Sequence, residues 1–221
     1  MRELISVFEG AWQYALLHLV ELRQAVGVHL TLVGIALGIG IVVCVPLGIL
    51  TARKRWASIT IMNTINTLRV IPSLAVLFLV LPYLGLNTTS ATVALTILAL
   101  PPILINTDAA FRNLDPAIIE AAQGMGMTPA QILWRVEFPL AMPVILTGVR
   151  TAAVEVISSA TLAAFVGSVG LGIYITRGFA LYDFSILMVG AVPVALLALL
   201  SEFLLGRMQR LFYTPVQSTG L

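Results

Sequence analysis

Charged residues are scarce in this chain of 221 residues: Asp, Glu, Lys and Arg together make up only 10% of it. An average soluble domain carries about 25% charged residues, and a soluble chain of this length could not cover its surface with so few. The basic stripe of a nucleic-acid-binding protein is absent, since 12 Lys and Arg against 10 Asp and Glu leave a net charge of +2. Hydrophobic residues reach 59%, which excludes a disordered chain. The composition therefore indicates a protein that crosses a lipid bilayer several times.

Residue types that bind metals or carry out catalysis are also few. The one cysteine, Cys44, lies inside an apolar run, and His18 and His29 are the only histidines. On one continuous helix their spacing separates them by about 16 Å, too far for one zinc ion whose bonds to nitrogen are about 2.0–2.1 Å. The sequence has no G-x-x-x-x-G-K-[ST] loop, so the chain is not expected to bind ATP itself. We expect no catalytic residue, no metal and no cofactor bound by this chain.

Five apolar stretches are long enough to cross a bilayer, and in lipid they must be helices because the backbone finds no other hydrogen-bond partners there. They cover residues 28–52, 57–81, 91–110, 139–166 and 184–205, with a glycine-rich connection at 167–183. The fold class is therefore an all-α membrane protein with five core transmembrane helices.

Both ends of the chain lie outside these five stretches. The uncharged part of residues 1–22 is shorter than the roughly 20 residues that a spanning helix needs. With Trp12 and Tyr14 at headgroup depth, it predicts an interfacial amphipathic helix. An extra half-span packed on the bundle is the alternative. Residues 23–210 would form the transmembrane domain, and residues 211–221 a cytoplasmic tail.

Basic residues predict the orientation, because cytoplasmic loops carry an excess of Lys and Arg. The alternating connections place seven basic residues on one side, namely Arg53, Lys54, Arg55, Arg112, Arg135, Arg207 and Arg210. The other side receives only three, namely Arg2, Arg23 and Arg177. The larger group is expected to be cytoplasmic, with the N-terminus and Asn87 outside and Glu120 inside.

The longest cytoplasmic connection, residues 111–139, carries strong local signals. Asp115 and Thr128 each stand directly before a proline, which is a typical helix start. Thr128 with Gln131 fits a capping box. Between the two starts, Gly126 can adopt a positive φ that ends the first helix and turns the chain. The segment is therefore expected to form two short helices at an angle.

Within this connection the sequence matches the EAA signature of ABC importer permeases. Glu-Ala-Ala is followed by Gly after three residues and, nine residues later, by an aliphatic-x-Leu-Pro ending; Val136 replaces the usual Ile and Phe138 the usual Leu. The matching residues are Glu120, Ala121, Ala122, Gly126, Val136, Glu137, Phe138 and Pro139. Over residues 28–210 the chain resembles type I ABC importer permeases. Segments 115–164, 71–74 and 167–172 resemble the osmoprotectant branch, which imports glycine betaine, choline and carnitine.

The resemblance implies a function and a set of partners. The chain would be the membrane-spanning permease of a binding-protein-dependent importer, paired with a second permease chain and served by an external substrate-binding protein. ATP and magnesium would bind to a separate ATP-binding cassette subunit, which receives Glu120, Ala121, Ala122, Gly126, Val136, Phe138 and Pro139 in a groove. An amino-acid importer permease is the alternative within this class, and a secondary transporter is the alternative outside it.

Ionisable residues inside the predicted spans are candidates for the transport pathway, because a charge there is costly and usually faces protein or water. We consider Arg69, Arg150 and Glu155. Arg150 and Glu155 do not share a helix face, because five positions correspond to about 140°. Glu155 is a candidate to line the pathway of a quaternary ammonium, and Arg69 and Arg150 are weaker candidates. A structural contact of Glu155 with Arg69 or with a neighbouring helix is the alternative.

Overall fold

The structure is a computed structural model that describes residues 2–212, with side chains from residue 5 onward. The described residues form helices and turns, without a strand. We number the helices α1 (Arg2–Leu17), α2 (Leu19–Arg53), α3 (Arg55–Leu68), α4 (Ser73–Leu84), α5 (Thr88–Arg112), α6 (Pro116–Gly124), α7 (Pro129–Val166), α8 (Gly172–Leu181) and α9 (Phe184–Leu211). Of the tail predicted at 211–221, residues from 213 onward lie outside the described residues.

Four of these helices are long and apolar enough to cross a bilayer, namely α2, α5, α7 and α9. Helices α3 and α4 pass the same test only as a pair, separated by a short break, and would make a fifth span. The all-α membrane fold predicted from composition is therefore confirmed.

The continuous helix predicted over residues 57–81 is wrong, because this segment breaks between Leu68 and Ser73. Pro72 has no N–H to donate, and its ring disfavours the helical conformation at Ile71. Pro72 and the polar residues just before it, such as Asn66 and Arg69, were the available signal in the sequence. Arg69 consequently lies at the break and not within a helix.

The chain divides into two compact units. The first comprises Met1–Ile39, Ile71–Ala99 and Ala153–Ser201. In it, α7 ends as a 3-10 helix from Ala160. One turn earlier, the carbonyl of Ile157 accepts a hydrogen bond from Nε2 of the buried His29 at 3.1 Å. The connection predicted at 167–183 contains helix α8, whose Gly178 packs against Leu187 with no room for a Cβ.

The N-terminal helix packs within this first unit. A Cβ on Gly10 of α1 would lie 2.6 Å from the Ser185 hydroxyl oxygen, and Ala11 is buried. The opposite side of α1 exposes large apolar side chains, including Phe8 and Trp12. The helix ends at Leu17, and α2 begins two residues later.

The second unit comprises Gly40–Val70, Leu100–Ala152 and Glu202–Leu221. Its helices approach closely at small residues, as helices in membranes commonly do. A Cβ on Gly48 of α2 would lie 2.6 Å from the Thr107 Cβ of α5, and one on Gly148 of α7 would lie 2.6 Å from the Pro102 carbonyl oxygen. This unit contains the connection at 111–139.

Candidate functional site

The first helix of the connection is closed at both ends by local hydrogen bonds. Asp115 precedes Pro116, and its Oδ1 accepts from the Ala117 N–H at 2.9 Å. At the other end Gly126 has φ +77°, its N–H donates to the Gln123 carbonyl at 2.9 Å, and the Met127 N–H donates to the Ala122 carbonyl at 3.2 Å. This pair of bonds is a Schellman motif, which needs a left-handed residue at the position of Gly126. The sequence-based prediction of Gly126 as the turn residue is confirmed.

The second helix begins as predicted but does not remain separate. The Thr128 hydroxyl accepts from the Gln131 N–H at 3.4 Å, and the Gln131 side-chain oxygen accepts from the Thr128 N–H at 2.8 Å, which completes the capping box. The helix then runs through a π turn, Leu133–Glu137, directly into the spanning part of α7. The expectation of two short helices is therefore wrong for the second one, which is continuous with the span, with no turn or loop between them.

The signature residues separate into an exposed group and an anchored group. Glu120, Ala121, Gly126 and Pro139 are exposed. Within the described residues, no ion pair engages Glu120. This group presents small side chains and one carboxylate to its surroundings, with the exposed Met125 beside Gly126.

The anchored group holds the connection to its unit. Ala122 is buried, and Val136 is partly buried. Phe138 packs against a core cluster formed by Ala110, Phe111, Ala141 and Ile145 of α5 and α7. Residues on α2 also pack against this cluster. The connection is therefore seated on three spanning helices.

An ion pair also holds the connection against α2. Arg53, the last residue of α2, donates to Glu137, whose side chain is only 11% exposed. Glu137 occupies the variable position of the aliphatic-x-Leu-Pro ending, so the signature gave no reason to select it. Its acidic side chain in an otherwise apolar ending was the available signal.

A second cluster joins the ends of α2, α3 and α5. Arg112 donates to both carboxylate oxygens of the buried Asp108, at 2.7 and 3.1 Å. The same guanidinium donates to the Thr51 carbonyl and the Ser58 hydroxyl, each at 3.1 Å. It thereby satisfies a carbonyl in the last turn of α2. Asp108 lies within a predicted span, and an ionisable residue in a span is by itself a candidate functional residue. The sequence could therefore have indicated it.

Arg150 has a partner that the sequence analysis did not name. Its guanidinium pairs with Glu202 on α9 and lies 3.4 Å from the Gln209 side-chain oxygen, while the Gln209 amide donates to the Thr147 hydroxyl at 2.8 Å. These groups join α7 to α9. Glu202 also stands in a predicted span, so the rule that selected Arg150 applied equally to it.

The other two pathway candidates are exposed. Arg69 lies at the break between α3 and α4, and Glu155 lies on α7 in the first unit.

Long apolar helices, small residues at their contacts and a capped connection seated on three spans define a class of protein: the membrane subunit of a transporter. The chain belongs to the family described as the binding-protein-dependent transport system inner membrane component, whose model matches residues 44–215.

Relatives and a solved structure agree with this family. The carnitine transport permease protein OpuCB of Listeria monocytogenes is 42% identical over 82% of this chain and 83% of its own length. The choline transport system permease protein OpuBB of Bacillus subtilis is 41% identical, over 82% of this chain and 84% of its own length. A chain of the inward-facing MetNI methionine ABC transporter superposes with a TM-score of 0.78 at 25% identity, covering 89% of this chain and 98% of that chain.

Proposed function

We propose that this chain is the permease of an ABC importer for quaternary amines such as carnitine, choline and glycine betaine. The observation that carries the proposal is the identity of about 40% to permeases named for carnitine and choline transport. The methionine transporter chain is only 25% identical. The amino-acid alternative is therefore less well supported.

The connection at 111–139, which we call the coupling loop, is proposed to dock on an ATP-binding cassette subunit. Its exposed group would enter a groove of that subunit, with Glu120 pairing polar groups there. Its anchored group would pass the movement on, because Phe138 contacts the core cluster and Glu137 pairs with Arg53 of α2. ATP and magnesium would bind to the cassette, not to this chain.

The complete importer would contain two permease chains, two cassettes and an external binding protein. The four or five spans of one chain are too few to enclose a path for a solute. Closure of the two cassettes on ATP would move the coupling loops. This movement would switch the solute path from being open on one side of the membrane to being open on the other. Glu155 is proposed to line that path, because a charged side chain on a spanning helix usually faces water or protein.

The proposed location is the cytoplasmic membrane of a bacterium or archaeon, with residues 1–22 as an interfacial helix outside and the C-terminus inside. The excess of basic residues at the connection after α2 and on the coupling-loop side supports this orientation.

The substrate proposal is tested with the complete importer reconstituted in liposomes, by measuring solute-stimulated ATP hydrolysis. Carnitine, choline and glycine betaine should stimulate, and a panel of amino acids should not. In the same assay Glu155→Gln should reduce stimulation by cationic choline more than by zwitterionic glycine betaine. Stimulation by an amino acid alone would reject the substrate class and leave the permease assignment intact. Equal losses for choline and betaine would assign Glu155 a structural role.

A further inference from the structure

A cavity of about 880 Å³ lies within the first unit, between α1, α2, the start of α5 and α8. Its volume falls in the range of about 300–1,000 Å³ that is usual for small-molecule sites. Apolar side chains form much of the wall, and the polar groups that interrupt them include Tyr14, Glu21, Thr92, Tyr174 and Arg177. None of these residues belongs to the coupling loop or to the pathway candidates.

Two tyrosines form an aromatic corner in this cavity. The rings of Tyr14 and Tyr174 meet edge to face, with centroids 6.4 Å apart and planes at 85°. Tyr174 is buried and therefore held in place, and Tyr14 also packs against the His18 ring at 4.4 Å. Because the two rings stand at right angles, a cation in the corner between them would lie against a face of each ring. Aromatic cages bind methylated ammonium groups in this way.

Charges of opposite sign flank the aromatic corner. Glu21 lies on the α2 side of the cavity, where its Oε2 is 2.8 Å from His18 Nδ1. Arg177 lies on the α8 side. Burial raises the pKa of the Tyr174 phenol, Glu21 and Tyr14 raise it further, and Arg177 opposes them. Both charges therefore act on the same ring, from two different helices.

We propose that this cavity binds a zwitterionic trimethylammonium solute. The rings of Tyr14 and Tyr174, with Glu21, face the methylated cation, and Arg177 pairs with the solute's carboxylate. The assignment rests on the proposed function and adds a site and a charge preference to it. In the proposed orientation every lining segment lies at the outer end of a span or in an outer connection, where a binding protein would release its solute.

The experiment measures binding of radiolabelled carnitine and choline to the permease–cassette complex in nanodiscs, without the binding protein. Arg177→Gln should weaken carnitine binding roughly tenfold, the loss expected for one charge-assisted hydrogen bond, and leave choline binding unchanged. Tyr14→Leu should weaken both solutes roughly threefold to tenfold, and Tyr14→Phe should not, because the phenyl face still attracts the cation. Arg23→Gln and Tyr83→Leu are matched controls in the same unit, outside the cavity lining, and should bind as the wild type does.

Phosphatidylcholine offers the same trimethylammonium group, so the nanodiscs are made of phosphatidylethanolamine and phosphatidylglycerol, and a second set contains phosphatidylcholine. Carnitine binding abolished by phosphatidylcholine would overturn the solute assignment in favour of a lipid headgroup. Wild-type binding by both Arg177→Gln and Tyr14→Leu would overturn the cavity proposal, while the proposed function would stand as long as carnitine stimulates ATP hydrolysis. Failure of every quaternary amine to stimulate the wild-type importer would instead reject the proposed function.

Discussion

At the scale of single residues, the ion pair between Arg150 and Glu202 is the interaction whose loss is easiest to predict. Replacing either residue with Gln removes the ion pair and leaves the other charge without its ionic partner, so both single variants should lower the free energy of unfolding. The double variant Arg150→Gln with Glu202→Gln should recover part of the loss. We expect a coupling free energy of about 1 kcal/mol, at the upper end of the roughly 0–1 kcal/mol of surface pairs. The value is kept low because the side chains are 35% and 41% exposed.

The double-mutant cycle is measured as unfolding in mixed micelles with a rising fraction of SDS. Arg210→Ala is the control, since Arg210 is an exposed arginine in the last turn of α9. It should change the free energy of unfolding by less than about 0.5 kcal/mol. A coupling free energy near zero would contradict a stabilising pair.

The residue scale also marks the limit of sequence reasoning at the candidate site. Arg150 could be selected from the sequence because a charge in a membrane span is costly. Its partner Glu202, however, lies 52 positions away in the sequence. Glu137 and Arg53 are 84 positions apart. Pairings over such distances depend on which helices pack together, and hydropathy does not contain that information.

At the scale of elements, helix caps and turns could be predicted from the sequence, but the course of the chain from one helix to the next could not. The caps at Asp115 and Thr128 and the turn at Gly126 all depend on neighbours within a few positions, and each was read correctly. The break at Pro72 and the continuity of the coupling loop with α7 were missed. Hydropathy reports that a segment is apolar, and it does not report the angle at which its two halves meet.

The coupling loop offers a matched pair of glycines for a test of this element. Gly124 and Gly126 are both exposed, and a Cβ added at either would meet no atom within 4 Å. Of the two, only Gly126 has a positive φ. Gly126→Val should cost about 1–2 kcal/mol in the left-handed conformation and strongly reduce uptake. Gly126→Asn should cost less, because Asn tolerates that conformation. Gly124→Ala should be neutral or stabilising by up to about 1 kcal/mol.

Uptake of labelled carnitine and co-purification of the cassette are measured for each glycine variant, after membrane insertion has been equalised by immunoblot. Normal uptake by Gly126→Val would show that the shape of this turn does not matter for coupling. Equal losses for the Gly124 and Gly126 variants would show that crowding, and not the positive φ, is responsible.

At the scale of the whole molecule, the orientation in the membrane is the property on which the other proposals depend. The predicted arrangement leaves the connection after α4 outside and places the coupling loop inside, since the excess of basic residues lies on the coupling-loop side. Reversing it would present the coupling loop to the binding protein, and the cavity at Tyr14 and Tyr174 to the cassette. Both functional proposals would then fail together.

Single cysteines in a Cys44→Ala background test this orientation, because Cys44 is the one native thiol and is buried. Tyr83→Cys is a better outer probe than a cysteine at Asn87, since Tyr83 is 86% exposed whereas the Asn87 side chain accepts from the Ser90 N–H at the start of α5. Lys54→Cys and Glu120→Cys are the inner probes, both exposed. In intact cells an impermeant thiol reagent should label position 83 and leave 54 and 120 unmodified until the membrane is permeabilised. Labelling of position 120 with protection of position 83 would reverse the orientation, and with it the assignment of the coupling loop to a cytoplasmic ATPase.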